Sequence, residues 1–69
     1  MKADQNYINR LEVGDKFENS RGETCKVIGI DKWGNIRAGT VDRGESHLRI
    51  YNKSGKGSPS SGDIKAGQS

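Results

Sequence analysis

The distribution of large apolar residues is the strongest constraint on what this chain can fold into. Eleven of its twelve Leu, Ile, Val and Phe residues lie between positions 8 and 50, and glycine-containing turns divide that stretch into short segments. The exception is Ile64, in a C-terminal run of small and polar residues. Short alternating segments between glycine turns are typical of β-hairpins. The sequence therefore predicts an all-β unit followed by a flexible C-terminal tail.

This pattern divides the chain into three regions. Residues 1–10 are polar apart from Tyr7 and Ile8, and they are predicted to be an N-terminal arm or a short helix with Asp4 as its N-cap. Residues 11–52 are predicted to form a small antiparallel β-meander that closes into a β-barrel. Residues 53–69 contain four Gly, five Ser and the only Pro, a composition that predicts a disordered Gly/Ser/Lys tail.

Four strands are expected in the meander, at residues 16–19, 24–30, 35–41 and 46–51. The second strand has two apolar faces, with Cys25 and Val27 on one and Ile28 on the other. Such a strand is expected to lie centrally and to bend, with Gly29 as the kink or bulge. Gly34 is predicted to lie in the tight turn of the following hairpin.

The fourth strand alternates most clearly between apolar and polar residues. Leu48 and Ile50 are predicted to face the interior, and the alternation then turns His47, Arg49 and Tyr51 outward. This outward row is the main candidate for a functional surface.

Part of the sequence resembles a known family. Val13-Gly14-Asp15-Lys16-Phe17, followed by the segment from Arg21 to Ile28, resembles the opening of small SH3-like barrels and in particular the KOW-type segment. The resemblance implies a strongly bent, five-stranded barrel. It also implies a role of the kind such barrels have in ribosomal, transcription-elongation and other nucleic-acid-associated proteins, or in peptide-binding adaptors.

Composition argues against several classes of function. His47 and Cys25 are the only histidine and the only cysteine, so four Cys or His ligands for a structural zinc are not present and no metal or other cofactor is expected. Cys25 is predicted to lie inside a strand as a small apolar residue, and the protein is predicted not to be an enzyme. No apolar stretch suggests a signal peptide or a membrane span, and a single cysteine favours the cytoplasm.

The first functional hypothesis is a non-catalytic module that binds DNA or RNA through a basic and aromatic sheet face. Arginine binds phosphates and stacks on bases, and tyrosine offers a second stacking plane. The net charge of +3 is modest, and two of these units belong to residues 53–69. The predicted nucleic-acid-binding residues are Arg37, His47, Arg49, Tyr51, Lys53 and Lys56.

The alternative is a small protein–protein interaction module, either an adaptor or an inhibitor of a larger enzyme. Trp33, next to Lys32 at a hairpin tip, would be its anchor if it were exposed. We expect Trp33 instead to fold back over the core, because so small a fold has few large apolar side chains. The sequence leaves the oligomeric state open, and a thin core permits self-association.

Overall fold

Four antiparallel strands in the order β1-β2-β3-β4 form a single sheet, which confirms the all-β class. The structure is a computed structural model that describes residues 5–59 and 61–65. Its elements are one short helix and the four strands, namely α1 (Gln5–Asn9), β1 (Lys16–Glu18), β2 (Thr24–Ile30), β3 (Ile36–Thr40) and β4 (Gly44–Tyr51). The order agrees with the predicted meander, and the strands begin and end within two residues of their predicted positions.

The helix α1 realises one of the two alternatives for the N-terminal region. It packs through Ile8, which is buried, while its other described residues are half-buried or exposed. The proposed N-cap, Asp4, lies outside the described residues.

A bulge interrupts the pairing of β2 with β3 at the predicted place. The register shifts between Val27 and Gly29, so that Ile28 is the extra residue on β2. In the hairpin turn that follows, Gly34 has a φ of +87°, a conformation that glycine adopts without steric cost. The bulge lets one strand direct apolar side chains to both faces of the sheet.

The core lies on one side of the sheet, between the strands, the helix and the C-terminal segment. Phe17 and Tyr51 meet at its centre in an edge-to-face contact, with ring centroids 5.4 Å apart and planes at 85°. Its members are Ile8, Leu11, Phe17, Cys25, Val27, Ile36, Ala38, Tyr51 and Ile64.

The face of β4 that the core covers is opposite to the predicted one. Tyr51 pairs with Ile36 and is fully buried, whereas Leu48 and Ile50 face away from the core. A tyrosine ring buries more apolar surface than either aliphatic side chain, and its hydroxyl finds partners in the interior. The prediction that Leu48 and Ile50 face inward and Tyr51 outward is therefore wrong.

The segment after β4 is also placed differently from the expectation. Residues 53–59 and 61–65 fold back over the sheet, and Ile64 is fully buried. Backbone bridges join Tyr51 to Gly57 and Asn19 to Ile64. In these residues, one buried isoleucine and several backbone hydrogen bonds anchor a Gly/Ser-rich segment to the sheet. Residues 66–69 of the predicted tail lie outside the described part of the chain.

Candidate functional site

Tyr51, which we expected to offer a stacking plane for a base, is part of the interior. Its hydroxyl donates to the carbonyl oxygen of Ser61 at 3.0 Å and accepts from Nδ2 of Asn19 at 3.1 Å. Burial raises the pKa of this phenol to about 12. The ring has no exposed surface, so in this structure it cannot stack on a ligand.

Arg49 is engaged in an ion pair with Glu23. Its Nε and Nη2 each donate to one carboxylate oxygen at 3.0 Å, and the two side chains are only 16% and 27% exposed. Asn19 also donates to Glu23 at 2.8 Å. These hydrogen bonds lower the pKa of Glu23 from 4.5 to about 2, so the pair remains charged and internally neutralised at neutral pH.

His47 lies on the same side of β4 as Arg49 and Tyr51, and it is half-buried. It lines a shallow cleft together with Glu23, Thr40 and Arg43. The Thr40 hydroxyl beneath this cleft is buried and has no hydrogen-bond partner among the described residues. The predicted row of His47, Arg49 and Tyr51 is thus present on one side of β4, but this side faces inward.

The opposite side of the sheet carries Leu48 and Ile50, which were predicted to face the interior, together with Ile28. Ile28, Leu48 and Ile50 are 38%, 38% and 49% exposed. Arg37 is on this side because it pairs with Ile50, and Gly39 is there because it pairs with Leu48. We call this surface the outer face; it consists of Lys16, Lys26, Ile28, Arg37, Leu48 and Ile50.

The cations of the outer face are arranged around its aliphatic side chains. Lys16 and Lys26 are direct cross-strand partners, an arrangement of like charges that is normally unfavourable. A groove beside them is lined by Ile28 and by one carboxylate, Glu45. Beyond β4, Lys56 lines a second groove with Leu48 and Ile50.

Sequence reasoning missed Lys16, Lys26 and Ile28 as members of a surface. The alternation in β1 and β2 contains the signal, since Phe17, Cys25 and Val27 point inward and the lysines between them must point outward. Glu18 is the acidic residue of this alternation, and it forms a 3.7 Å ion pair with Lys65.

Trp33 is exposed at the tip of the β2–β3 hairpin. Its side chain is 67% exposed, which corrects the expectation that it caps the core. The carboxylate of Asp31 accepts hydrogen bonds from the backbone N–H groups of Trp33 and Asn35 at 3.0 and 2.8 Å. This Asx-type turn holds the tip in a conformation that projects the ring away from the core.

Lys32 contacts the Trp33 ring, and Lys53 lies next to the turn that carries it. The ammonium nitrogen of Lys32 lies 4.6 Å from the ring centroid, a cation–π contact. Lys53 packs against the neighbouring turn, where a Cβ added to Gly34 would lie 3.0 Å from the Lys53 Cβ. The structure therefore places Lys53 next to Gly34, in the turn that carries the predicted partner-binding residues Lys32 and Trp33.

Burial raises the pKa of the Cys25 thiol, which makes it a poor nucleophile. Among residues 5–59 and 61–65, no three His, Cys, Asp or Glu side chains are grouped as a metal site requires. The described part of the chain also contains no helix with the length and apolar character needed to cross a bilayer.

Comparisons with known proteins identify no relative. No protein-family model, no curated protein and no solved structure matches the chain. The small antiparallel four-stranded sheet is compatible with an SH3-like fold, and that is the extent of the structural likeness.

Proposed function

We propose that this chain is a non-catalytic binding module that docks a protein partner through the outer face. The observation that carries the proposal is the simultaneous exposure of Ile28, Leu48 and Ile50 on one side of the sheet. Groups of exposed aliphatic side chains are uncommon on monomeric proteins, and they mark interaction surfaces. Nothing in the core requires these residues to be aliphatic, because the core lies on the other side.

We further propose that the sheet closes into an SH3-like barrel of the KOW-containing kind. The C-terminal segment supports closure, because it is hydrogen-bonded at both ends of the meander. The N–H of Asn52, after β4, donates to Lys56 at 2.9 Å, and the N–H of Lys65 donates to Glu18 of β1 at 2.8 Å. A cytoplasmic location is part of the same proposal, since the single cysteine is buried and cannot form an internal disulfide.

Capture from nuclease-treated cell lysate tests the protein-binding proposal. The immobilised chain is compared with Ile50→Ser, which removes an aliphatic side chain from the outer face, and with Val13→Ser, a matched control in the turn before β1 that is also exposed. We expect a defined protein to be retained by the wild type and by Val13→Ser, and to be lost with Ile50→Ser. Equal retention by all three chains would contradict the proposal.

Nucleic-acid binding is a second candidate, supported by a different observation. The exposed ring of Trp33 has the Lys32 ammonium beside it, and Lys53 lies next to Gly34 in the same turn. Single-stranded nucleic acids bind to surfaces that combine stacking with positive charge. Arg37 and Lys56 are also exposed and could contact a phosphate chain.

Fluorescence titration with a single-stranded oligonucleotide tests this second candidate. Stacking would quench the emission of Trp33, and the affinity would fall as salt rises from about 0.05 to about 0.2 M, with a slope set by the phosphates contacted. Lys53→Glu should weaken such binding, whereas Arg10→Glu, an exposed cation at the end of α1, serves as the control. An affinity that is unaffected by salt and by Lys53→Glu would exclude this mode.

A further inference from the structure

We infer that the outer face is a docking site for an acidic amphipathic helix of a partner protein. This inference rests on the proposed protein-binding function and adds the chemistry of the partner. It follows from the shape of the aliphatic surface, from the position of the cations around it, and from the state of the sheet edges.

The aliphatic side chains form a band whose members lie on β2 and β4, on either side of Arg37 and Gly39 of β3. Ile28 lies over Gly39, since a Cβ added there would be 3.2 Å from the Ile28 Cδ1. Gly39 pairs with Leu48, and Ile50 follows on the same side of β4. Gly39 itself is covered by the Gly44 carbonyl and the Ile28 side chain, so a partner would contact Ile28, Leu48 and Ile50.

Positive charge flanks this band on both sides. Lys16 and Lys26 lie on the β1–β2 side, Arg37 lies between Ile28 and Ile50, and Lys56 borders the groove beyond β4. The carboxylates nearby are Glu18, which is paired with Lys65, Glu45, which lines the groove beside the lysines, and Asp63, which is the bridge partner of Lys56. The cations therefore outnumber the unpaired carboxylates around the band.

This distribution is complementary to an amphipathic helix with an apolar stripe and acidic residues on both flanks. Apolar residues at i, i+3, i+4 and i+7 form such a stripe, and helices are the usual cover for an exposed sheet face. The cross-strand pair Lys16 and Lys26 fits the same role, because an acidic partner relieves a repulsion that the free protein has to tolerate.

An added strand would meet the C-terminal segment at one end of each edge strand. Asn19 and the end of β1 are bridged to Ile64 and Lys65, and Tyr51 at the end of β4 is bridged to Gly57. Strand addition needs a free edge with unpaired backbone groups.

The test uses defined peptides and amide chemical shifts of the 15N-labelled full chain. The first probe is an acidic amphipathic peptide of about 14 residues, with Leu at the stripe positions and Glu elsewhere. The second has Lys in place of every Glu, and the third has the composition of the first in scrambled order. We expect the first peptide alone to shift the amide signals of Ile28, Arg37, Leu48 and Ile50.

Matched variants separate the two components of the surface. Lys26→Glu reverses a flanking charge and Ile50→Ser removes part of the band, and each should weaken the acidic peptide by about fivefold or more. Arg10→Glu and Val13→Ser change an exposed cation and an exposed aliphatic residue away from the sheet, and each should alter the affinity by less than about twofold. A thermal melt of every variant establishes that it remains folded.

Several results would overturn the inference. Binding of the Lys-containing or scrambled peptide as tightly as the acidic one would remove the argument from charge and amphipathicity. Shifts of the same amides on raising the protein concentration alone would assign the face to a second copy, and shifts caused by an oligonucleotide would assign it to nucleic acid. If no peptide binds while capture from lysate still depends on Ile50, the protein-binding proposal stands and the helix is excluded.

Discussion

At the scale of single residues, Asn19 organises the polar part of the interior. Its Nδ2 donates to Glu23, Tyr51 and Ser61 at 2.8, 3.1 and 3.2 Å, and its Oδ1 accepts from the N–H groups of Arg21 and Glu23. One buried amide thus connects the β1–β2 turn, the end of β4 and the C-terminal segment. Because buried polar groups are costly when unpaired, this network fixes the arrangement of all three.

The ion pair attached to this network predicts a specific acid sensitivity. The pKa of Glu23 is about 2 in the folded chain and near 4.5 when unfolded, so the unfolded state takes up the proton first as the pH falls. The stabilisation is therefore present above about pH 4.5 and is lost as the pH falls towards 2. Glu23→Gln should lower the free energy of unfolding by about 1 kcal/mol at neutral pH and abolish this part of the pH dependence.

Urea unfolding at a series of pH values between neutral and about 2 measures this difference. Glu45→Gln, at an exposed position of β4, is the control and should follow the wild-type curve. Parallel pH profiles for Glu23→Gln and the wild type would show that the pair does not act in this way.

Trp33 gives a second prediction at this scale. Because its side chain is largely exposed, Trp33→Ala should change the free energy of unfolding by less than about 0.5 kcal/mol. Phe17→Ala, in the core, should cost about 3–5 kcal/mol. Trp33 emission in the free protein should be red-shifted and readily quenched by acrylamide. A blue-shifted emission protected from the quencher would show that the ring is packed in the core.

At the scale of elements, the strands were predictable and the covered face of β4 was not. Thr24–Ile30 was predicted residue for residue, because β-branched residues between two glycine turns leave little choice. In β4, Leu48 and Ile50 alternate with Arg49 and Tyr51, so each face offers substantial apolar surface. The pairing of Tyr51 with Ile36 and the partners of its hydroxyl decide between the faces, and both come from distant segments.

The close approach of the Gly44 carbonyl to Gly39 predicts opposite effects for alanine substitutions at two glycines of the same sheet. A Cβ on Gly39 would collide with the carbonyl oxygen of Gly44, whereas a Cβ on Gly29 would meet nothing within 4 Å. Gly39→Ala should therefore cost about 1–3 kcal/mol. Gly29→Ala should be neutral or should stabilise by up to about 1 kcal/mol, since it restricts the unfolded chain. Urea midpoints measure both, and equal effects would contradict the assigned register.

At the scale of the whole molecule, composition does not indicate that the C-terminal segment joins the two edges of the sheet. A Gly/Ser-rich segment is typically disordered, and a single isoleucine among polar residues gives little indication of packing. In the structure, that isoleucine completes the core and bridges Asn19 after β1, while Gly57 of the same segment bridges Tyr51 of β4. The outer face was not predicted for a related reason. The sequence analysis placed Leu48 and Ile50 in the core, whereas in the structure Tyr51 and Ile64 fill it.

The dependence of the fold on this segment is the prediction that concerns the molecule as a unit. Ile64→Ala should lower the free energy of unfolding by about 2–5 kcal/mol, because it opens a cavity beneath the segment. Ile50→Ala makes the same chemical change on the outer face and should cost less than about 1 kcal/mol.

A chain that ends at Asn52 loses Ile64 and the hydrogen bonds of Lys56 and Lys65, and should give the far-ultraviolet circular dichroism of an unfolded chain. Small domains have little stability to spare, so the three chains should differ clearly in a thermal melt. A truncated chain that melts cooperatively near the wild-type temperature would mean that the four strands are sufficient by themselves.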